Sequence, residues 1–289
     1  MIALKERLDA YEHLMRLKQP VGFLLILWPT LCALWVAASG APPISSIMIL
    51  FTSVLLLRSA GCVLVEWSNR HSPMSPITQN IVSSKEVFLL AIVLCALAFC
   101  FICFTTKIAI ALFFVMIAFF TIHALLRQVF LLPQVFLAIT FSFGIPIAFA
   151  ITLNKVPWFA WAFIGVNLFW SIAYQIEYMM MPPENRTMKL QSTTITFGRH
   201  DIKIIAFCYF CFFAGITFFG IYWAWGWIFW FFMALAIGVA ISCLVCIRAN
   251  DAHRSVRAFQ RNHWIGLFLF LGIALNHALQ YRAFPLLNQ

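Results

Sequence analysis

The sequence predicts an all-α polytopic membrane protein, nine transmembrane helices around a central cavity, and three observations carry that prediction. Of 289 residues, 64% are hydrophobic and only 10% charged, too little polar surface for a water-soluble globule of this size. Nine apolar stretches fill nearly the whole chain, each close to the roughly 20 residues that an α-helix needs to cross about 30 Å of hydrocarbon. The basic residues are distributed unevenly around those stretches. A formal net charge of +10 would point to nucleic acid in a soluble protein. Here the Lys and Arg side chains sit in short connections, where they set topology and meet anionic headgroups, so membrane lipids and not nucleic acid are the expected partners.

The spans are expected at 20–39, 46–66, 87–104, 107–126, 130–152, 157–176, 203–222, 227–247 and 263–281. Fifteen of the 19 Lys and Arg fall in the N-terminal tail and the even-numbered loops, counting Lys203 at the edge of the sixth loop. Lys107, Lys155 and Arg282 lie on the other side, and Arg58 lies inside the second span. That bias predicts a cytoplasmic N-terminus. The odd loops are minimal, and Trp223, Trp225 and Trp227 in one of them suit the interfacial belt. The expected organisation is a cytoplasmic tail over 1–19, one transmembrane domain over 20–281 and a short tail over 282–289. Residues 1–19 are polar and lead straight into a full-length span, so a cleavable signal peptide is not expected. The two longest internal loops, 67–86 and 177–202, lie four spans apart. Each follows a polar-aromatic cluster, VLVEWSNRHSP or AYQIEYMMMPPENR. The spacing suggests a repeated four-helix unit facing one cavity that opens to the cytoplasm.

Few residues are able to carry chemistry. There are nine carboxylates, and no aspartate occurs between Asp9 and Asp201. Glu66 and Glu177 stand at the cytoplasmic ends of spans, where a carboxylate needs a cation, a metal or water. Arg58 precedes Glu66 by eight residues, about 12 Å along a helix, and so lies well inside the hydrocarbon. A guanidinium at that depth needs a partner, either an anionic substrate group or an internal acceptor. The neighbouring Ser59, Ala60 and Gly61 allow close helix approach. Cys100/Cys103, Cys208/Cys211 and Cys243/Cys246 have metal-like spacing but fall inside apolar spans, where they read as small hydrophobes. The histidines form no ligand pair, although His123 and Arg127, four apart, share a helix face.

The runs LMRLKQPVGFLLILWPTLCALWVA (14–37), RSAGC (58–62), SSKE (83–86), LPQV with GIPIAFA (132–150) and STTITFG (192–198) resemble the UbiA superfamily of intramembrane prenyltransferases. Within it, the likeness is to the bacterial 4-hydroxybenzoate polyprenyltransferases of ubiquinone biosynthesis, and it extends from about residue 10 to residue 280. The resemblance implies an enzyme of the bacterial inner membrane, a cavity capped by two Asp-rich loops, a polyprenyl diphosphate donor, an aromatic acceptor such as 4-hydroxybenzoate, and Mg²⁺. The chemistry is ionisation of the diphosphate followed by alkylation of the ring. The leaving group departs only if metal ions and basic groups neutralise it.

The chain departs from both family motifs. Where the first reads N-D-x-x-D-x-x-x-D, this chain has Val65, Glu66, Asn69 and Pro73. Where the second reads D-x-x-Y-x-x-x-D-x-x-x-D, it has Gln175, Tyr178, Pro182 and then Asn185 or Arg186. Glu66, Asn69, Glu177 and Glu184 remain as metal-ligand candidates, a set suited to one weakly held Mg²⁺ and too small for two. Arg58, Arg70, Arg127, Tyr178, Arg186 and Lys189 are the diphosphate-binding candidates. The expectation is a homologue whose Mg²⁺-dependent catalysis is impaired or lost. The alternative is an active enzyme in which Arg186 binds phosphate directly.

Overall fold

A computed structural model describes residues 4–68, 81–126, 133–181, 201–248 and 252–283. Eleven α-helices and no strand are found among them. They are α1 (Leu4–Met15), α2 (Val21–Ala38), α3 (Ile44–Ser68), α4 (Ser84–Cys103), α5 (Lys107–Leu126), α6 (Pro133–Ser142), α7 (Gly144–Leu153), α8 (Trp158–Met180), α9 (Asp201–Tyr222), α10 (Trp227–Arg248) and α11 (Ala252–Ala283). Among the described residues, eight helical segments are long and apolar enough to cross a membrane, with α6 and α7 together forming one of them, Val135–Leu153. Lys107–Ile122 of α5 is a shorter apolar helix. The chain is an integral membrane protein.

Three elements differ from the sequence expectation. Residues 4–15 form a helix instead of a tail. Its Ala10 and Leu14 are buried against Ala60, Val63, Val87 and Ala91 of α3 and α4. Arg7 on the same helix donates to both oxygens of Glu86 at 2.9 Å, and these bonds raise its pKa above the ordinary arginine value. Glu86 also closes a capping box with Ser83, whose hydroxyl accepts from the Glu86 N–H, so the motif SSKE starts α4 and holds α1. The expected fifth span is divided at Phe143 into α6 and α7. Pro146 has no N–H for the Ser142 carbonyl, and the hydroxyls of Thr140 and Ser142 bond back to the carbonyls of Phe136 and Ala138. Finally, α11 begins at Ala252, well before the expected residue 263.

The helices form two groups. In the first, α2 to α7 pack around one another, with α1 on α3; in the second, α8 packs on α9 and α11, and α10 lies along α11. The groups join where α2 meets α11 and α6 meets α8. Two glycines allow the close approach of other helices to α2. A Cβ on Gly144 would sit 2.1 Å from Thr30 Oγ1, so α7 reaches α2 only without one. A Cβ on Gly266 would sit 2.6 Å from Trp28, where α11 meets α2. The cysteine pairs lie on helices, Cys208 and Cys243 buried and Cys100 and Cys103 exposed.

Candidate functional site

Among the cavities inside the described part of the bundle, one of about 80 Å³ is within the first helix group, lined by Leu50, Val54, Phe113, Met116, Phe120 and Ile147 among others, with Arg58 and Gly61 also on its wall. Its lining is apolar apart from Arg58, Ser53 and Thr140, which suits a hydrocarbon chain with a polar end. A smaller one, about 20 Å³, lies between α2, α8, α9 and α11, beside Asn167 and Trp170.

Arg58 has internal partners. Its Nη1 donates to the carbonyls of Met15 and Arg16, both at 3.0 Å, and its Nη2 to that of Gln19 at 3.2 Å. These carbonyls belong to the end of α1 and the turn into α2, where the chain leaves the helix through Arg16 at φ 53°. A helix C-terminus offers such unpaired carbonyls and favours a cation there. Arg58 thus has internal acceptors, one of the two kinds of partner that the sequence leaves open, and it also stands on the wall of the larger cavity.

Glu177 is wholly buried in α8, fully inside the protein. Its Oε2 accepts from Asn262 Nδ2 on α11, and its Oε1 lies 2.7 Å from the Tyr209 hydroxyl on α9. That hydroxyl also lies 2.8 Å from Asn262 Oδ1, which accepts from Trp170 Nε1 at 3.1 Å. Four side chains thus tie three helices together. Tyr209, Asn262 and Trp170 were not candidates on sequence. The signals for two of them are a tyrosine in the middle of the Phe-rich first half of α9 and an amide just outside the expected ninth span.

The remaining described candidates lie near the ends of α3 and α8. Glu66 is half-buried near the end of α3, one residue after the buried Val65. Tyr178 is half-buried, its ring edge-on to Phe259 at 5.2 Å. Gln175 is 7% exposed, and its Nε2 has no hydrogen-bond partner among the described residues. Asn69, Arg70, Arg127, Glu184, Arg186 and Lys189 lie outside the described residues, and so does the His123 side chain.

The described residues do not fit Mg²⁺. The ion requires hard oxygen donors in near-octahedral array. At the position of the second motif's first aspartate, Gln175 brings a neutral amide, which offers at most one uncharged oxygen in place of a carboxylate. Both oxygens of Glu177 are already engaged. No group of three His, Cys, Asp or Glu side chains able to hold a metal occurs among the described residues.

Residues 26–272 match the UbiA prenyltransferase family. The chain is 36% identical over 287 residues to a Nitrosospira multiformis protein named 4-hydroxybenzoate octaprenyltransferase, covering 96% of this chain and 99% of that one. It is 34% identical over 286 residues to a protein of the same name from an Azoarcus species, covering 96% and 100%. Among solved structures, the apo form of a UbiA homologue from Aeropyrum pernix K1 is similar with a TM-score of 0.71 at 17% identity, over 88% of this chain and 98% of that one. A UbiA homologue from Archaeoglobus fulgidus bound to GPP and Mg²⁺ is similar with a TM-score of 0.55 at 14% identity, over 91% and 86%. At such identities the structural likeness speaks for the fold alone. The apolar helices and the bacterial relatives together place the protein in the bacterial inner membrane. On a match spanning most of its length, and on relatives aligned nearly end to end, the chain belongs to the UbiA prenyltransferase family.

Proposed function

We propose that this protein binds a polyprenyl diphosphate or related isoprenoid lipid, and that Mg²⁺-dependent prenyl transfer to an aromatic acid such as 4-hydroxybenzoate is lost or strongly impaired. The substrate classes come from the relatives' name. The observation that carries the loss is the carboxyl inventory of α8: Gln175 stands where an aspartate is expected, and Glu177 is bonded inward to Tyr209 and Asn262. A departing diphosphate depends on metal and cationic contacts, each supplying roughly 2–4 kcal/mol of transition-state stabilisation, so losing several slows ionisation by many orders of magnitude. Lipid binding draws on different residues. The apolar cavity supports it, and Arg58, Arg70, Arg127, Tyr178, Arg186 and Lys189 are the proposed contacts of the anionic end. Nine crossings with a cytoplasmic N-terminus complete the reading, supported by the bias of fifteen basic residues against three.

Membranes carrying the protein, labelled polyprenyl diphosphate and 4-hydroxybenzoate, assayed with and without Mg²⁺, test the proposal. Retained lipid without prenylated product is the expected result. Product that requires Mg²⁺ and disappears in Glu66→Ala would overturn it. Product formed without Mg²⁺ and lost in Arg186→Ala would overturn it in favour of an arginine-dependent diphosphate site.

A further inference from the structure

The early start of α11 creates a feature that the prenyl-transfer reading leaves unused. Arg254, Arg257, Arg261 and Trp264 recur at helical spacing and are all exposed, while Ser255, Ala258, Asn262 and Ile265 between them are buried. One stripe of the helix is therefore basic and ends in a tryptophan. Arg261 fixes where the stripe lies: its Nη1 is 3.5 Å from Ser242 Oγ and 3.4 Å from Cys246 Sγ, both on α10. The stripe thus borders the seam between α10 and α11. On the α10 side, Arg248 is exposed at the helix end, preceded along the helix by Val245 (61% exposed) and Ile241 (56%). Trp264, at 44% exposure, lies against Phe268 with ring centroids 6.0 Å apart. Neither Arg257 nor Arg261 is ion-paired among the described residues.

We propose that this seam is a binding site for an anionic phospholipid, its phosphate held by Arg257 and Arg261 and its acyl chain lying along Val245, Ile241 and Trp264. Charge complementarity selects the occupant. Guanidinium groups match phosphate in forked geometry, and the surface below them is apolar and faces the bilayer. An aromatic ring at the boundary suits the headgroup level. A zwitterionic lipid offers the same chains but carries an ammonium that weakens the attraction. Basic seams between transmembrane helices are suited to such headgroups.

Native mass spectrometry of the full-length protein, equilibrated in detergent with equimolar phosphatidylglycerol and phosphatidylcholine, tests the site. The wild type retains phosphatidylglycerol in preference. Each basic residue near an anionic headgroup contributes about fivefold in affinity, so Arg257→Gln with Arg261→Gln lowers the preference by about 30-fold. Lys5→Gln with Lys18→Gln removes equal charge elsewhere and leaves the preference intact. Arg257→Lys with Arg261→Lys preserves charge and folding and retains an intermediate preference, which reads the forked contact alone. An equal loss in the Lys5/Lys18 control reveals diffuse surface charge only and overturns the site. Absence of any preference in the wild type overturns it as well.

Discussion

Replacing Glu177 tests whether this carboxyl is a structural tie or a metal ligand. In Glu177→Ala the Asn262 amide loses its Glu177 acceptor and keeps only the Ala258 carbonyl at 3.2 Å, while the Tyr209 hydroxyl falls back on Asn262 Oδ1 at 2.8 Å. One buried donor left short of an acceptor costs roughly 1–3 kcal/mol, and the space vacated by the carboxyl adds about 1–2 kcal/mol, so a destabilisation of about 2–5 kcal/mol is expected. Glu177→Gln differs. Its carbonyl accepts from Asn262, its NH₂ donates to the Tyr209 oxygen, and the tyrosine proton turns to Asn262 Oδ1. Every group remains paired, and the expected loss is under about 1 kcal/mol. Reversible unfolding in mixed micelles with rising SDS fraction, followed by circular dichroism, measures both variants. Were Glu177 a metal ligand, alanine and glutamine would both abolish Mg²⁺ binding, and neither would have a large effect on the metal-free protein. A metal-free alanine variant as stable as the wild type, or a glutamine variant as unstable as alanine, refutes the tie.

Other contacts give equally direct tests. Gly144→Ala places a methyl group 2.1 Å from Thr30 Oγ1 and is expected to destabilise by roughly 1–3 kcal/mol; adding Thr30→Ala removes the offending oxygen and recovers most of it, read from the same unfolding series as a double-mutant cycle. Arg58→Ala leaves the carbonyls of Met15, Arg16 and Gln19 without their cation, so hydrogen exchange in residues 4–19 accelerates while α8 to α11 remain protected. Leu14→Ala, at 1% exposure, loosens α1 with a loss of about 2–4 kcal/mol; Arg7→Ala, in a surface pair with Glu86, leaves the unfolding midpoint unchanged at high salt.

The spans were legible because their signal is summed over roughly 20 residues, and no local irregularity erases it. Twelve-residue α1 lacks that averaging: its Ala10 and Leu14 acquire meaning only when α3 and α4 supply the surface that buries them. Pro146 was visible, but a proline in a transmembrane segment permits either a bend or a full break. The basic start of α11 lies outside an apolar window, so the expected ninth span, 263–281, excludes Asn262. Glu177 shows the limit of reading a site from position. Tyr174, Gln175, Ile176 and Glu177 are all buried, so the end of α8 has no solvent-facing side from which helical phase could identify a site. Of the candidates, Arg58, Glu66, Glu177 and Tyr178 are described, and the others lie outside the described residues.

The polar ties of the described bundle also bear on whether the fold needs a metal. Asn167 donates to Ser142 across α8 and α6, Asn276 accepts from the Gly226 N–H, Thr106 donates to the Ala150 carbonyl, and the Glu177 cluster joins α8, α9 and α11. Each such tie across transmembrane helices contributes about 0.6 kcal/mol on average, and none requires an ion. Neutral residues near hydrocarbon are also easier to accommodate than clustered aspartates. A chain can therefore lose its metal ligands and keep its helices, and the consequence is measurable by linkage. An ion that binds only the folded state stabilises it by about 2.7 kcal/mol at one hundred times its dissociation constant. Melting the protein in detergent with millimolar Mg²⁺ or with EDTA, with and without polyprenyl diphosphate, is expected to give midpoints that respond to the lipid and not to the metal. A Mg²⁺-dependent rise of several degrees in the presence of the diphosphate would mean that residues beyond those described complete a metal site, and the loss of metal-dependent transfer would no longer follow.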